Sequence, residues 1–151
     1  LVAIPAIDTS NVTNMQMAFA NCGSITTVPV LDTGKVTDMS SMFSTCNNLV
    51  SIPLLNTSKA TNMQQMFTMC ISLTTVPQLN ASSATNMADM FSWCSALTDE
   101  SLNNILGMCI SATNVATKTL LYIGITSAQA TRCQSLSNYN AFIEAGWQTG
   151  Y

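Results

Sequence analysis

Apolar and polar positions over the first two thirds of the chain recur every 24 residues. Pro5, Pro29, Pro53 and Pro77, which are all the prolines present, mark the phase. Met15, Met39, Met63 and Met87 keep the same step, as do Phe19, Phe43, Phe67 and Phe91, and Cys22, Cys46, Cys70 and Cys94. Four copies therefore align without a gap over residues 1–97. In the second copy, Met39, Met42, Phe43 and Cys46 stand at i, i+3, i+4 and i+7, the spacing of one helix face. Asp38 or Thr37 can cap its start, since either side chain accepts from an orphan N–H. Ile25-Thr26-Thr27-Val28 carries β-branched strand character. Pro29 ends that stretch because it has no N–H to offer a ladder. Asp32-Thr33-Gly34 is turn chemistry, and Lys35-Val36-Thr37 leads, extended, into the helix.

A single copy cannot bury its apolar side. Stacked copies can, each Met, Phe, Leu and Cys meeting its counterparts above and below. Strands stack about 4.8 Å apart, whereas helices pack at about 8–10 Å. A coil with strands on one side and helices on the other must curve with the strands inside. The expected fold is thus α/β: a leucine-rich-repeat solenoid, a horseshoe of four 24-residue repeats, with a mainly helical C-terminal cap. The 24-residue step between Cys22, Cys46, Cys70 and Cys94 reads as a repeat position, not a bridging pattern. Disulfides need Cα atoms within about 4.4–6.8 Å. Helical outer segments would keep these thiols apart; flatter turns would let them meet. A buried, reduced ladder is the expectation.

The repeat breaks at Thr98, which divides the chain into residues 1–97 and a capping segment, residues 98–151. Leu1 falls at the phase of Leu49 and Leu73, so the repeat region is expected to be N-terminally incomplete and the chain a piece of a longer protein. Thr98-Asp99-Glu100 is a helix start with acids in its first turn. Leu102, Ile105, Leu106 and Cys109 restore the helical face. Residues 119–123 read as a short strand ended by Gly124. Thr126-Ser127-Ala128-Gln129 fits a capping box. Ser137 is placed to cap a last helix holding Phe142 and Ile143, closed by Gly146. The segment is expected to cover the Met87–Phe91–Trp93 edge of the fourth copy, with Cys109 and Cys133 outside the repeats.

The string Asp8-Thr9-Ser10-Asn11-Val12-Thr13-Asn14-Met15 and its copy Asp32-Thr33-Gly34-Lys35-Val36-Thr37-Asp38-Met39-Ser40-Ser41-Met42-Phe43, followed by Cys46 and Leu49, resembles the BspA-like leucine-rich-repeat surface proteins. Such repeats occur in bacterial surface lipoproteins and adhesins and in tail-associated proteins of phages of gut bacteria. The resemblance implies the repeat fold and a place on a bacterial surface or a virion. Ala18 departs from the pattern where the other copies have Met, and Asn56, Asn80, Ala60, Ala81 and Ala84 mark the third and fourth copies as drifting. The end of the chain, Ala145-Gly146-Trp147-Gln148-Thr149-Gly150-Tyr151, is also similar to the terminal segment of some phage-encoded repeat proteins.

Composition narrows the function. Apolar residues make up 48% of the chain, enough for a core, and charged residues only 7%, against about 25% in ordinary soluble proteins. Ser, Thr and Asn fill the gap with 51 residues. Histidine is absent, so no Ser–His–Asp or Cys–His site can be assembled within this chain. Lys35, Lys59, Lys118 and Arg132 are too few to neutralise a phosphate backbone, which argues against nucleic acid. The longest apolar runs are too short and interrupted to span a bilayer. Low charge also predicts poor solubility and self-association.

Candidate chemistry reduces mostly to structure. Ten methionines could suggest a soft-metal site, but their repeat phase assigns them to the core. Asp8, Asp32, Asn56 and Asn80 read as turn-forming residues and not as a calcium site, since two are amides. Asn14, Asp38, Asn62 and Asn86 read the same way, and Asp99-Glu100 as a complement to the helix dipole. The sequons at Asn11, Asn56 and Asn80 fall on repeat turns. No catalytic residue, metal or cofactor is expected. Binding is expected at the concave strand positions, above all Thr26, Thr27, Val50, Ser51, Thr74 and Thr75, with Val2-Ala3 in the first copy. Together they form a neutral, hydroxyl-rich strip, to which Tyr122, Tyr139, Trp147 and Tyr151 add aromatic contacts. Paired threonines also suit an ice surface, but only two of the four copies carry the pair. The expected role is a non-enzymatic recognition or adhesion module for protein or glycan on a cell surface, outside a bacterium or on a phage. A structural spacer or assembly element, bound to other subunits, is the alternative, and a substrate-positioning arm of an enzyme a third.

Overall fold

The computed structural model describes residues 3–150. Leu1, Val2 and Tyr151, and with them the expected contacts of Val2 and Tyr151, lie outside the described residues. The four copies lie on one another in register. The Met15 N–H donates to the Asp38 carbonyl at 2.8 Å, and those of Met39 and Met63 to Asn62 and Asn86 at 2.9 Å. Among the described residues, parallel pairing within the copies is confined to isolated bridges: Asn14 with Asp38, Asp38 with Asn62, Asn62 with Asn86, and Ser51 with Thr75. No sheet forms among the described residues, so Ile25-Thr26-Thr27-Val28 is not a strand. Among the described residues helices occur only after the repeats: α1 (Asp99–Ser111), α2 (Ser127–Cys133) and α3 (Tyr139–Glu144). The expected α/β horseshoe is therefore overturned. With neither a strand layer nor a helix layer in the four copies, the two unequal spacings that would have bent it are gone.

The segment read as a helix is instead a run of tight turns. Ser41 and Thr45 take left-handed backbone angles, φ 54° and 63°, and so do Met17 and Asn21, Gln65 and Met69, and Asp89 and Trp93. A left-handed residue every fourth position interrupts helical winding. Met42, Ser44 and Cys46 donate locally to Met39, Ser41 and Phe43, three residues back. The alternate donors, Met39, Ser41, Phe43 and Thr45, reach Asn62, Gln64, Met66 and Thr68 of the next copy at 2.7–2.9 Å. Every N–H of the segment thus finds a partner without a helix. Turns of four residues and helix turns of 3.6 bury the same positions over so short a span, which is why the two look alike in sequence.

Flat turns let the copies approach at strand-like spacing. The rings of Phe19, Phe43, Phe67 and Phe91 stack with centroids 5.6–5.8 Å apart and planes within 15°. Met39, Met42, Met63, Met66, Met87 and Met90 are fully buried around them, a core role as expected. All six cysteines are free, and those of the repeats apart from Cys22 are buried. Asx turns form where the sequence placed them. Asp8, Asp32, Asn56 and Asn80 accept from the N–H two residues on at 2.9–3.2 Å. Asn14, Asp38, Asn62 and Asn86 do the same at 2.8–3.2 Å.

The C-terminal segment supplies the fourth copy with partners that a further copy supplies to the others. In α1, capped by Thr98 as expected, Ser101 Oγ donates to the Thr74 carbonyl at 2.8 Å and accepts from the Val76 N–H at 2.9 Å. Ser111 Oγ accepts from the Ala81 N–H at 2.9 Å. The carbonyls of Tyr122 and Ile123 accept from Asp89 and Phe91 at 2.8 and 2.9 Å. The Gln129 side chain donates to the Cys94 carbonyl at 2.8 Å. The capping box at Thr126 and Gln129 is present. Residues 119–123 are turns, not a strand; only Thr119 bridges, to Gln148. Ser137 does not cap α3, since its hydroxyl is drawn to Asn103 Oδ1 at 3.2 Å. Met87 and Phe91 are covered, whereas Trp93 is not.

Candidate binding surfaces

The strip picked out in the sequence is held by backbone bonds between copies. The Val50 N–H donates to the Thr26 carbonyl and the Thr74 N–H to the Val50 carbonyl, each at 2.9 Å. Thr75 also donates to Val50 at 3.2 Å and bridges Ser51. Thr26, Thr27, Val50 and Thr75 are exposed; Ser51 and Thr74 are half-buried. The row continues into Thr98, whose N–H donates to the Thr74 carbonyl at 3.2 Å. The Thr74 and Thr98 hydroxyls donate to carbonyls one copy back, at 3.1 and 3.2 Å. The Thr74 hydroxyl therefore offers a ligand lone pairs and a methyl group more readily than a proton, whereas Thr98 Oγ1 already accepts from the Ser101 N–H as the cap of α1.

A second, exposed threonine column was not singled out in the sequence: Thr13, Thr37, Thr61 and Thr85. The hydroxyls of Thr37, Thr61 and Thr85 each donate to the carbonyl of the preceding member at 3.1–3.3 Å. Their identity in all four copies was the available signal. Beside them sits Asp38, whose carboxyl burial pushes up but which the hydroxyl and N–H of Ser40 and the Asn62 amide hold below the usual range. Its ionised form suits the turn it closes.

The expected aromatic contributors are used for packing. Trp147 is buried and tilted against Phe142, and Tyr139 stacks on the same ring. The Tyr122 hydroxyl donates to Asn86 Oδ1 at 3.1 Å. Among the described residues the exposed aromatic is instead Trp93, 73% accessible. It flanks a groove of about 430 Å³ between the fourth copy and the C-terminal segment, together with Asp89, Ser92, Leu121, Gly124 and Thr126. Gly124 takes φ +85°, and a Cβ there would stand 2.4 Å from the Ser92 nitrogen. Only glycine lets this loop lie against Ser92 and form the groove floor. The overlooked signal was a tryptophan in a column otherwise occupied by Asn21, Thr45 and Met69.

No curated protein and no solved structure gives a match. No helix of the described residues is long and apolar enough to cross a membrane. Residues 2–105 match the family model described as Mycoplasma protein of unknown function, DUF285. That stretch holds the 24-residue copies and the start of α1. As it covers more than half of the chain, the protein belongs to the DUF285 family.

Proposed function

We propose that the protein is a non-enzymatic recognition module that binds protein or carbohydrate at a cell surface. The observation carrying this reading is the row Thr26–Val50–Thr74–Thr98, a line of side chains locked in register by backbone bonds, with Thr26, Val50 and Thr98 open to solvent and Thr74 half-buried. Fixed spacing lowers the ordering cost of binding, and a modest affinity gains from display in many copies. Membership of a family that includes surface proteins agrees with it, as does the resemblance to BspA-like surface repeats. In this reading residues 1–97 are the binding stack and residues 98–151 its closing segment.

The test is binding of the fluorescently labelled chain, displayed multivalently, to bacterial cells, epithelial cells and matrix proteins. A variant carrying Thr26→Lys, Thr27→Lys, Thr74→Lys and Thr75→Lys is the control, with its urea midpoint measured to verify folding. Saturable binding lost in a folded variant is the expected result. Absence of binding to every target overturns the reading. It would favour a spacer or assembly element of a phage tail or surface appendage, toward which the exposed Val30 and Leu54, 84% and 67% accessible one copy apart, already lean.

A further inference from the structure

We propose that the groove beside Trp93 is a binding site for an uncharged sugar ring, with the indole as platform and Asp89 as acceptor. This rests on the recognition reading and adds to it a second place, away from the threonine row, with its own ligand class. Trp93 occupies a left-handed position, φ 67°, where a side chain with a Cβ costs about 1 kcal/mol. Burial of the indole would offset that cost, yet 73% of the residue stays exposed. The other members of its column, Asn21, Thr45 and Met69, adopt the same backbone, φ 60–63°, without an aromatic ring. Folding therefore has no use for tryptophan here. Its apolar face is left for a ligand, and Leu121, 53% exposed, flanks the same groove.

The polar groups narrow the ligand. Asp89 Oδ1 accepts from the Ser92 hydroxyl at 2.8 Å, which fixes this exposed residue's carboxylate at the groove. Ser92, its proton committed, offers lone pairs, and Ser95 both donates and accepts at the rim. A pyranose has a C–H face that packs on an indole and hydroxyls that both donate and accept. A carboxylate takes those hydroxyls as charge-assisted bonds. Asp89 and a net charge of −3 disfavour acidic sugars. An ammonium group, which could also sit on the ring, only donates and would leave the Ser95 proton unmatched.

The chain provides its own probe, because its two tryptophans differ: Trp93 is exposed and Trp147 buried. We would titrate the intact chain with methyl glycosides of glucose, galactose and mannose and with neutral oligosaccharides. The readouts are red-edge tryptophan emission and its quenching by acrylamide. The expected result is saturable protection of Trp93, absent in Trp93→Ala and weakened roughly tenfold or more in Asp89→Asn. The proposal is overturned if no neutral sugar protects Trp93, or if binding persists in Trp93→Ala. It also fails if Trp93 is protected instead by a lysine peptide or by raising the protein concentration. Cell binding that is lost in the four-lysine variant while no neutral sugar protects Trp93 overturns this site and leaves the recognition reading standing. Silence in every assay overturns both.

Discussion

The thiol of Cys70 donates to the carbonyl oxygen of Phe43, one copy earlier, at 3.1 Å. Cys46 and Cys94 make the same bond to Phe19 and Phe67 at 3.2 and 3.1 Å. Each cysteine thus fastens the aromatic turn of the copy before it, and the ladder serves as structure and not as a set of bridges. Burial pushes the Cys46 and Cys133 thiols up to about 11 and that of Cys94 to about 12, and Cys70 and Cys109 are raised as well.

These thiols set the alkaline limit of stability. In the unfolded chain a thiol ionises near ~8.5. Above that pH the unfolded state has released protons that the folded state still holds, so stability falls as pH rises. The melting temperature should hold below about pH 8.5 and decline from there through the raised thiol values. A Tm that is flat to the most alkaline point measured would contradict this.

Phe67 is fully buried between Phe43 and Phe91. Phe67→Ala should cost about 3–5 kcal/mol, as expected for an aromatic removed from a packed core. Phe19 is only half-buried and has one stacked neighbour, so Phe19→Ala should cost clearly less. Urea titrations of both variants compare them directly.

Asp38 sets part of the acid limit. Its folded pKa lies below its ordinary value, so its stabilising effect is present above about pH 3.9 and lost as pH falls through the depressed value. Asp38→Asn keeps an acceptor for Ser40 but cannot titrate. Its acid unfolding curve should be flatter than that of the parent.

Gly124→Ala should destabilise by about 2 kcal/mol or more, since it combines a left-handed backbone with a backbone clash. The Cβ would meet the Ser92 nitrogen and Oγ at 2.4 Å. A Tm within error of the parent would show that the loop can retreat from the fourth copy.

Met69 spends an exposed apolar side chain at φ 62°. Asn21 holds the equivalent position in the first copy. Met69→Asn should stabilise by about 0.5–1 kcal/mol, because asparagine tolerates this backbone better. Thermal unfolding of the two chains decides it.

What was legible in the sequence followed the chemistry of single residues. The Asx turns at Asp32 and Asp38 and the caps at Thr98 and Thr126 are formed by side chains acting on N–H groups two or three residues away. Such bonds need no knowledge of the fold. The helix assigned to residues 39–46 failed because its evidence was periodicity alone. That pattern records which side chains are buried, and left-handed turns at Ser41 and Thr45 bury the same ones. The Trp93 groove was missed because Leu121 and Gly124 reach it from another segment.

The sequence by itself determined the 24-residue register, the core columns of Met, Phe and Cys, and the place where the repeat gives way to helices. Each of these is written in spacing and in residue type, and stacking identical copies leaves no other way to bury them. Only the tertiary structure decided how the backbone runs between those points. The N–H groups of Ser41, Phe43 and Thr45 have two possible satisfactions, within one helix or across to the next copy. The choice depends on a neighbour at strand-like distance, which no single copy contains. The same holds for exposure: Trp93 and Trp147 are the same residue type, and only the packing of the C-terminal segment buries one and leaves the other open.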